Sequence, residues 1–205
     1  MLRSLPCPLP QDAALLVINL QRAIDHPSLG VRNNLDAERN VAALLQAWRI
    51  SHRPIYHIRH DSPEVASHYR PGQPGHEFKP EAQPLCGEAV LGKRTNNAFI
   101  GTDLKARLRT GQQTLLVVAG VITNNCVEAT VRMAGNLGFD TFLVEDGCFT
   151  FARQDWDGQL RTASEVHAMS LANLDGEYCT VTRTSEVLAA LCDSRATADQ
   201  RIETQ

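Results

Sequence analysis

Six cysteines (Cys7, Cys86, Cys126, Cys148, Cys179 and Cys192) are scattered along the chain without a single C-x-x-C pair. That absence argues against thioredoxin-like redox chemistry and against a zinc ribbon, and reduced thiols of a cytosolic protein are the simplest reading. No apolar run approaches the roughly 20 residues of a membrane span. The leading MLRSLPCPLPQD carries prolines and no apolar h-region before Ala13, so a secretory signal is not expected and a cytoplasmic location follows by default. Charge of one sign is also lacking. A formal net charge of −3 gives neither nucleic acid nor a membrane surface a reason to bind. No G-x-G-x-x-G follows the first strand-like run, so a dinucleotide site is not expected. Internal repeats and domain linkers are absent as well.

What remains is an ordinary globular composition, 43% hydrophobic and 21% charged over 205 residues, enough for one α/β domain with an ample core. That domain is expected over residues 1–192, followed by a polar, disordered tail over 193–205. Continuous apolar runs at Ala13 to Leu20 and Leu115 to Ala119 read as strands buried on both faces, joined by shorter strands at Ile55 to Arg59, Ala89 to Leu91, Asp140 to Glu145 and Tyr178 to Thr182. Helical periodicity places Leu35, Val41, Leu44, Leu45 and Trp48 on one face of a helix over Leu35 to His52. Further helices are expected over Asp103 to Thr110, from about Asn124 to Gly138, over Gly158 to Leu174, and from Thr184 to about Cys192. Asp146-Gly147-Cys148 reads as the turn out of its strand. Alternating strands and helices predict a three-layer, doubly wound, mostly parallel sheet of about six strands with helices on both faces.

Such sheets place their sites outside the carboxyl ends of the strands. Three chemistry-bearing residues fall there: Asn19 after the first strand, Lys93 after the third and Cys126 after the fourth. Thr123 and Asn124 offer side-chain oxygens suited to capping the helix that follows. Cys126 then lies in a first helical turn, where the positive end of the dipole and unpaired N–H groups favour a thiolate. A small buried structural thiol is an equal reading of that stretch alone. The interval from Asp61 to Pro84, with five prolines, is irregular, and a loop of that length inside a compact domain is usually functional.

The segments ALLVINLQ, GKRTNNAFIGTDL and GVITNNCVEATVRMAGNLGF, continuing through VEDGCFTF and VHAMSLANLDGEY, resemble the isochorismatase-like cysteine hydrolases over roughly residues 12 to 190. The G-V-x-T-x-x-C-V-x-x-T motif carries the likeness. The resemblance implies Cys126 as nucleophile, Lys93 as its lysine partner and a cis peptide at Val121-Ile122. It also implies backbone N–H groups of Ile122 and Cys126 as an oxyanion hole. The family's first strand normally ends D-x-Q, whereas this one ends Asn19-Leu20-Gln21, which makes the implied triad Asn-Lys-Cys. An amide cannot carry the proton that a carboxylate would, a service worth about 10²–10⁴ in rate. Gln21, Asn97, Phe99 and Thr123 are the pocket candidates, and Arg59 or Arg70 the candidates to meet an anionic substrate. Nicotinamidase-like members hold a metal through an Asp-x-His after the second strand. Here His57, His60, Asp61, His68 and His76 occupy that region in a different order, so neither metal nor cofactor is expected. The implied activity is hydrolysis of a small amide or ureide at its C–N bond through a thioester. The alternative is a catalytically silent homologue that binds a small ligand or serves assembly. A homo-oligomer, dimer or tetramer, is implied by the same likeness.

Overall fold

The computed structural model describes residues 4–191. The strands are β1 (Ala14–Ile18), β2 (Ile55–His60), β3 (Ala89–Lys93), β4 (Leu115–Val121), β5 (Asp140–Phe149), β6 (Arg153–Gln154), β7 (Leu160–Arg161) and β8 (Thr180–Thr182). The helices are α1 (Ala37–Ile50), α2 (Leu104–Thr110), α3 (Glu128–Asn136), α4 (Ala163–Ala172) and α5, residues 184–191. Six strands form one parallel sheet in the order β3-β2-β1-β4-β5-β8, and β6 and β7 form a separate antiparallel hairpin.

Every residue of β1 is buried because both faces of the sheet are covered. Leu15 and Val17 meet Val41, Leu44 and Trp48 of α1 and Val187 of α5. Leu16 and Ile18 meet Leu104 and Leu108 of α2 and Val131 and Ala134 of α3. The Trp48 indole N–H donates to the Ala13 carbonyl at 3.0 Å, which lets a large polar-tipped ring sit fully inside. These are the three layers expected. Among the described residues no helix is long and apolar enough to cross a membrane.

Three local expectations are corrected. Leu35 precedes α1 and is 77% exposed, while Glu38 takes an inward place because Arg32 and Lys79 both bind its carboxylate. Asp146-Gly147-Cys148 is not a turn but part of β5, which shifts register opposite Val118 and Gly120. Asn34 makes that irregularity affordable: its side-chain amide donates to the Glu145 and Cys148 carbonyls at 2.9 and 2.7 Å. Residues 153–161 form the β6–β7 hairpin rather than the start of a helix, since Asp155 gathers the Asp157 and Gln159 amides and the Arg161 guanidinium. The helix begins only at a capping box, with Thr162 and Glu165 bonding each other's backbone N–H. The tail expected over 193–205, with Cys192, lies outside the described residues.

From β1 the chain steps outward through β2 to β3, then returns to place β4 on the other side of β1. The carboxyl end of β1 is therefore the switch point of the sheet. The two strands approach so closely there that a Cβ on Gly120, whose φ is 120°, would run into the Ile18 carbonyl. Gly120→Ala is expected to lower unfolding free energy by at least about 1–3 kcal/mol, measured as a drop in denaturant midpoint at unchanged slope.

Candidate active site

Lys93 ends β3 and is 1% exposed. A buried ammonium is tolerated only where acceptors meet it. Lys93 Nζ donates to the Thr95 carbonyl at 2.9 Å and to Cys126 Sγ at 3.4 Å, and lies 3.3 Å from His60 Nδ1. Burial lowers the Lys93 pKa from its ordinary value, with the Cys126 sulfur and Asp61 acting the other way. Burial, reinforced by the Lys93 charge, pushes His60 down to about 4, so its imidazole is neutral near pH 7 and Nδ1 is free to accept from the ammonium. Cys126 is 6% exposed, and its Sγ is also 3.7 Å from Asn96 Oδ1.

Cys126 does not sit in the first turn of an α-helix. Residues Thr123–Val127 form a π-helical turn ahead of α3, entered through a cis Val121-Ile122 peptide. The expected side-chain caps are also replaced. Thr123 is fully buried, with Oγ1 2.9 Å from His167 Nδ1, while Asn124 Oδ1 accepts from the Thr150 hydroxyl at 2.6 Å. Both side chains brace the turn from outside instead of capping it.

Asn19 follows β1 at φ 51°, a left-handed conformation that asparagine tolerates better than most residues. It is 4% exposed, and its Oδ1 has no hydrogen-bond partner. Gln21 is fully buried, with its amide nitrogen 3.2 Å from the His60 carbonyl and 2.8 Å from that of His76; its oxygen accepts from His60 N–H at 2.7 Å. It thereby ties the end of β2 to the 61–84 loop. The same loop pairs Phe78 with Gln21 in an antiparallel bridge and sets the Tyr69 ring edge-on to His60 at 5.6 Å. Burial, then the charges of Cys126 and Asp25, raise the Tyr69 hydroxyl pKa, which places this loop residue in the electrostatic reach of the thiol. Lys79 fastens the loop, donating to Asp25 at 2.6 Å and Glu38 at 2.8 Å.

The remaining candidates serve the framework. Asn97 donates to the Ala129 carbonyl at 3.0 Å and accepts from Phe99 N–H at 2.8 Å; the Phe99 ring stacks on Phe139 at 5.8 Å. Arg59 pairs with Asp61 at 2.9 Å, and Arg70 donates to the Pro63 carbonyl. His57 lies 2.8 Å from Glu88, His68 stacks on His26 and His76 binds Asp61. Among the described residues no group of three His, Cys, Asp or Glu is placed to hold a metal ion. Burial raises the thiols of Cys148 and Cys179, the latter to about 12, which leaves them inert. Sequence reasoning missed Asn96, Thr95 and the roles of His60 and Tyr69, because a loop residue's approach to a distant strand leaves no periodic signal.

The isochorismatase domain model matches residues 13–184. The isochorismatase family protein YrdC of Bacillus subtilis is 34% identical over 87% of this chain and 95% of its own length. A streptothricin hydrolase of Streptomyces noursei is 31% identical over 67% of this chain and 50% of its own. A crystal structure of an isochorismatase-family protein from Chromobacterium violaceum superposes with a TM-score of 0.89 at 60% identity, covering 92% of this chain and 99% of that one.

The loop's anchor gives a pH signature. Burial alone would raise Glu38, but the Arg32 and Lys79 hydrogen bonds outweigh it and hold its carboxyl down at about 2, against an ordinary 4.5. Its contribution to stability is therefore complete above about pH 4.5 and is lost as pH falls through about 2. Glu38→Gln is expected to lower stability at neutral pH and to make the loss between those limits shallower, as followed by denaturant unfolding at stepped pH.

Proposed function

The chain belongs to the isochorismatase family, and from that premise we propose that it is a cysteine hydrolase cleaving the C–N bond of a small carbonyl-bearing amide or ureide. The observation that carries the reading is the 3.4 Å approach of Lys93 Nζ to Cys126 Sγ, inside the edge of the sheet where strand order reverses. A thiol against a buried amine can pass its proton across and become a nucleophile. The sulfur then adds to the carbonyl carbon. The oxyanion is held by the N–H groups of Ile122 and Cys126, and the C–N bond breaks as Lys93 protonates the departing nitrogen. Water adds to the thioester, gives its proton to the Lys93 amine and releases the carboxylic acid and the thiolate. The lowered pKa of Lys93 suits this double duty, since a proton carrier works best with a pKa near the operating pH. His60, neutral, holds the amine in line without adding a second positive charge.

Asn19 sets the rate in this reading. It occupies the place of the family's aspartate, and the three acceptors that meet Lys93 Nζ include no carboxylate among the described residues. The unpartnered Oδ1 also favours the second reading, a pocket that binds a small ligand and turns it over poorly.

One experiment separates them. Wild type, Asn19→Asp, Lys93→Ala and Cys126→Ser are incubated with a panel of small primary amides and N-carbamoyl compounds. Amine or ammonia release is measured alongside intact-protein mass. The wild type is expected to form an acyl adduct on Cys126 that Cys126→Ser lacks, and Lys93→Ala to lose most turnover. Asn19→Asp is expected to gain about 10²–10⁴ in kcat/KM. If neither wild type nor Asn19→Asp forms an adduct or releases product, the hydrolase reading fails and the silent-pocket reading stands.

A further inference from the structure

Asn96 is exposed, yet its side chain reaches the buried Cys126 sulfur: Oδ1 lies 3.7 Å from Sγ and accepts from the thiol. A thiol is a weak donor, so this bond costs little to break. It is the one side-chain hydrogen bond of Asn96 among the described residues, and Nδ2 takes no partner there. The backbone around Asn96 is, by contrast, tied down. Lys93 Nζ donates to the Thr95 carbonyl, the Thr95 hydroxyl donates to the Asn97 carbonyl at 3.0 Å, and the Asn97 amide donates to the Ala129 carbonyl at 3.0 Å. Thr130 closes the frame. Its hydroxyl donates to the Cys126 carbonyl at 2.7 Å and accepts from Ala98 N–H at 3.1 Å. One side chain therefore ties the segment that carries Asn96 to the residue that carries the thiol, and leaves the Asn96 carboxamide itself free to turn.

We propose that Asn96 is a catalytic residue, a hydrogen-bond switch that accepts from Cys126 as a thiol and turns over to donate to it as a thiolate. The inference rests on the reading of Cys126 as the nucleophile. Once the thiol proton has passed to Lys93, a carbonyl oxygen facing the sulfur would be repelled by its charge. The terminal carboxamide torsion is broad and roughly two-fold, so a half turn brings Nδ2–H to the sulfur at little cost. The new bond is charge-assisted and stronger than the one it replaces. Because Nδ2 is otherwise unpartnered among the described residues, the turn breaks nothing else. The thiolate then has two donors, Lys93 and Asn96, at a site where Asn19 brings no charge. The other titratable groups near the sulfur are committed elsewhere. His60 faces the ammonium and, held down at about 4, stays neutral above pH 5; Asp61 binds Arg59 and His76. His167 of α4 bonds Thr123, and Glu128 of α3 bonds Arg132 and Ser170. Tyr69 feels the sulfur's charge from the 61–84 loop, and Arg94 is exposed in the segment of Asn96. None of these bonds the Asn96 side chain.

The test needs no substrate. Wild type, Asn96→Leu and Asn96→Asp are alkylated with iodoacetamide across pH, and modification of Cys126 is followed by peptide mass, with Cys126→Ser as the blank. Leucine keeps the shape of asparagine without its N–H, and Lys93 is common to all three proteins, so differences between them report on residue 96. Asn96→Leu is expected to raise the pH midpoint of Cys126 alkylation by about one pH unit, the loss of one hydrogen bond to a charged group. Asn96→Asp, which sets a carboxylate against the thiolate, is expected to raise it by about two. Circular dichroism should be unchanged in both. A residue that merely covers the sulfur would change the rate by one factor at every pH and leave the midpoint in place, and that result overturns the proposal. A Cys126 that never reacts in the folded wild type overturns both the switch and the nucleophile reading. Midpoints that move in a protein with no turnover on any amide support the switch and leave the hydrolase reading to fail alone.

Discussion

A lysine ammonium shut away from water dominates this structure. Lys93 is tolerable at 1% exposure only because three acceptors converge on Nζ, and each comes from a different part of the chain. His60 ends β2, directly in register with Lys93 at the end of β3. Thr95 follows β3, and Cys126 lies in the turn after β4, on the far side of β1. A slip of one residue in any of these parallel pairings would leave the charge unmatched, at a cost of several kcal/mol. The requirement to satisfy one cation therefore ties together the register of β2 and β3 and the position of the turn after β4. It also explains why His60 must be neutral: a second positive charge 3.3 Å away would repel what it now holds.

The irregular loop over 61–84, with only the short 3-10 turns Pro74–His76 and Pro80–Ala82 of its own, owes much of its order to polar anchors. Gln21 binds the carbonyls of His60 and His76, Phe78 pairs with Gln21, and Lys79 reaches the buried Glu38, which Arg32 also holds. Arg32 in turn lies 3.9 Å above the Phe149 ring. A segment rich in proline thus becomes a fixed roof that brings Tyr69 against His60.

Most of the framework was legible because buried parallel strands read as unbroken apolar runs and α1 as a clean 3.6-residue period. The strand order was not read from the sequence, although Asn19, Lys93 and Cys126 were placed at strand ends. The misreadings share a cause. Leu35 fits the helical period, but polar anchoring of Glu38 sets where the helix begins. Asp146-Gly147-Cys148 has the composition of a turn, yet Asn34 and Asn40, over a hundred positions away, satisfy the Glu145, Cys148 and Asp146 carbonyls. The β6–β7 hairpin has two-residue strands with no alternation to read. At the site, the pairing of Lys93 with Cys126 was suggested by family likeness and strand-end position, whereas His60 was one histidine among several until the fold brought it to the ammonium. The unpartnered oxygen of Asn19 has no counterpart in sequence at all.

The two polar side chains that α4 turns inward, His167 and Ser170, answer to the same site. The π turn that carries Cys126 cannot cap itself: Thr123 turns inward to His167, and Glu128, at the start of α3, accepts from the Ser170 hydroxyl at 2.6 Å. Both supports come from the inward side of α4, four and seven residues beyond the helix start, so that side must be polar at those positions. His167 and Ser170 share that side with Ala163 and the half-buried Val166 and Leu171, while Ala168, Met169 and Ala172 face out. Burial of His167 keeps its imidazole neutral and able to bond Thr123 without bringing a charge beside the turn. A brace for the Cys126 turn and an outward Met169 are thus two consequences of one helix orientation. Substitutions that made the inward side of α4 wholly apolar would remove the bonds that hold the turn.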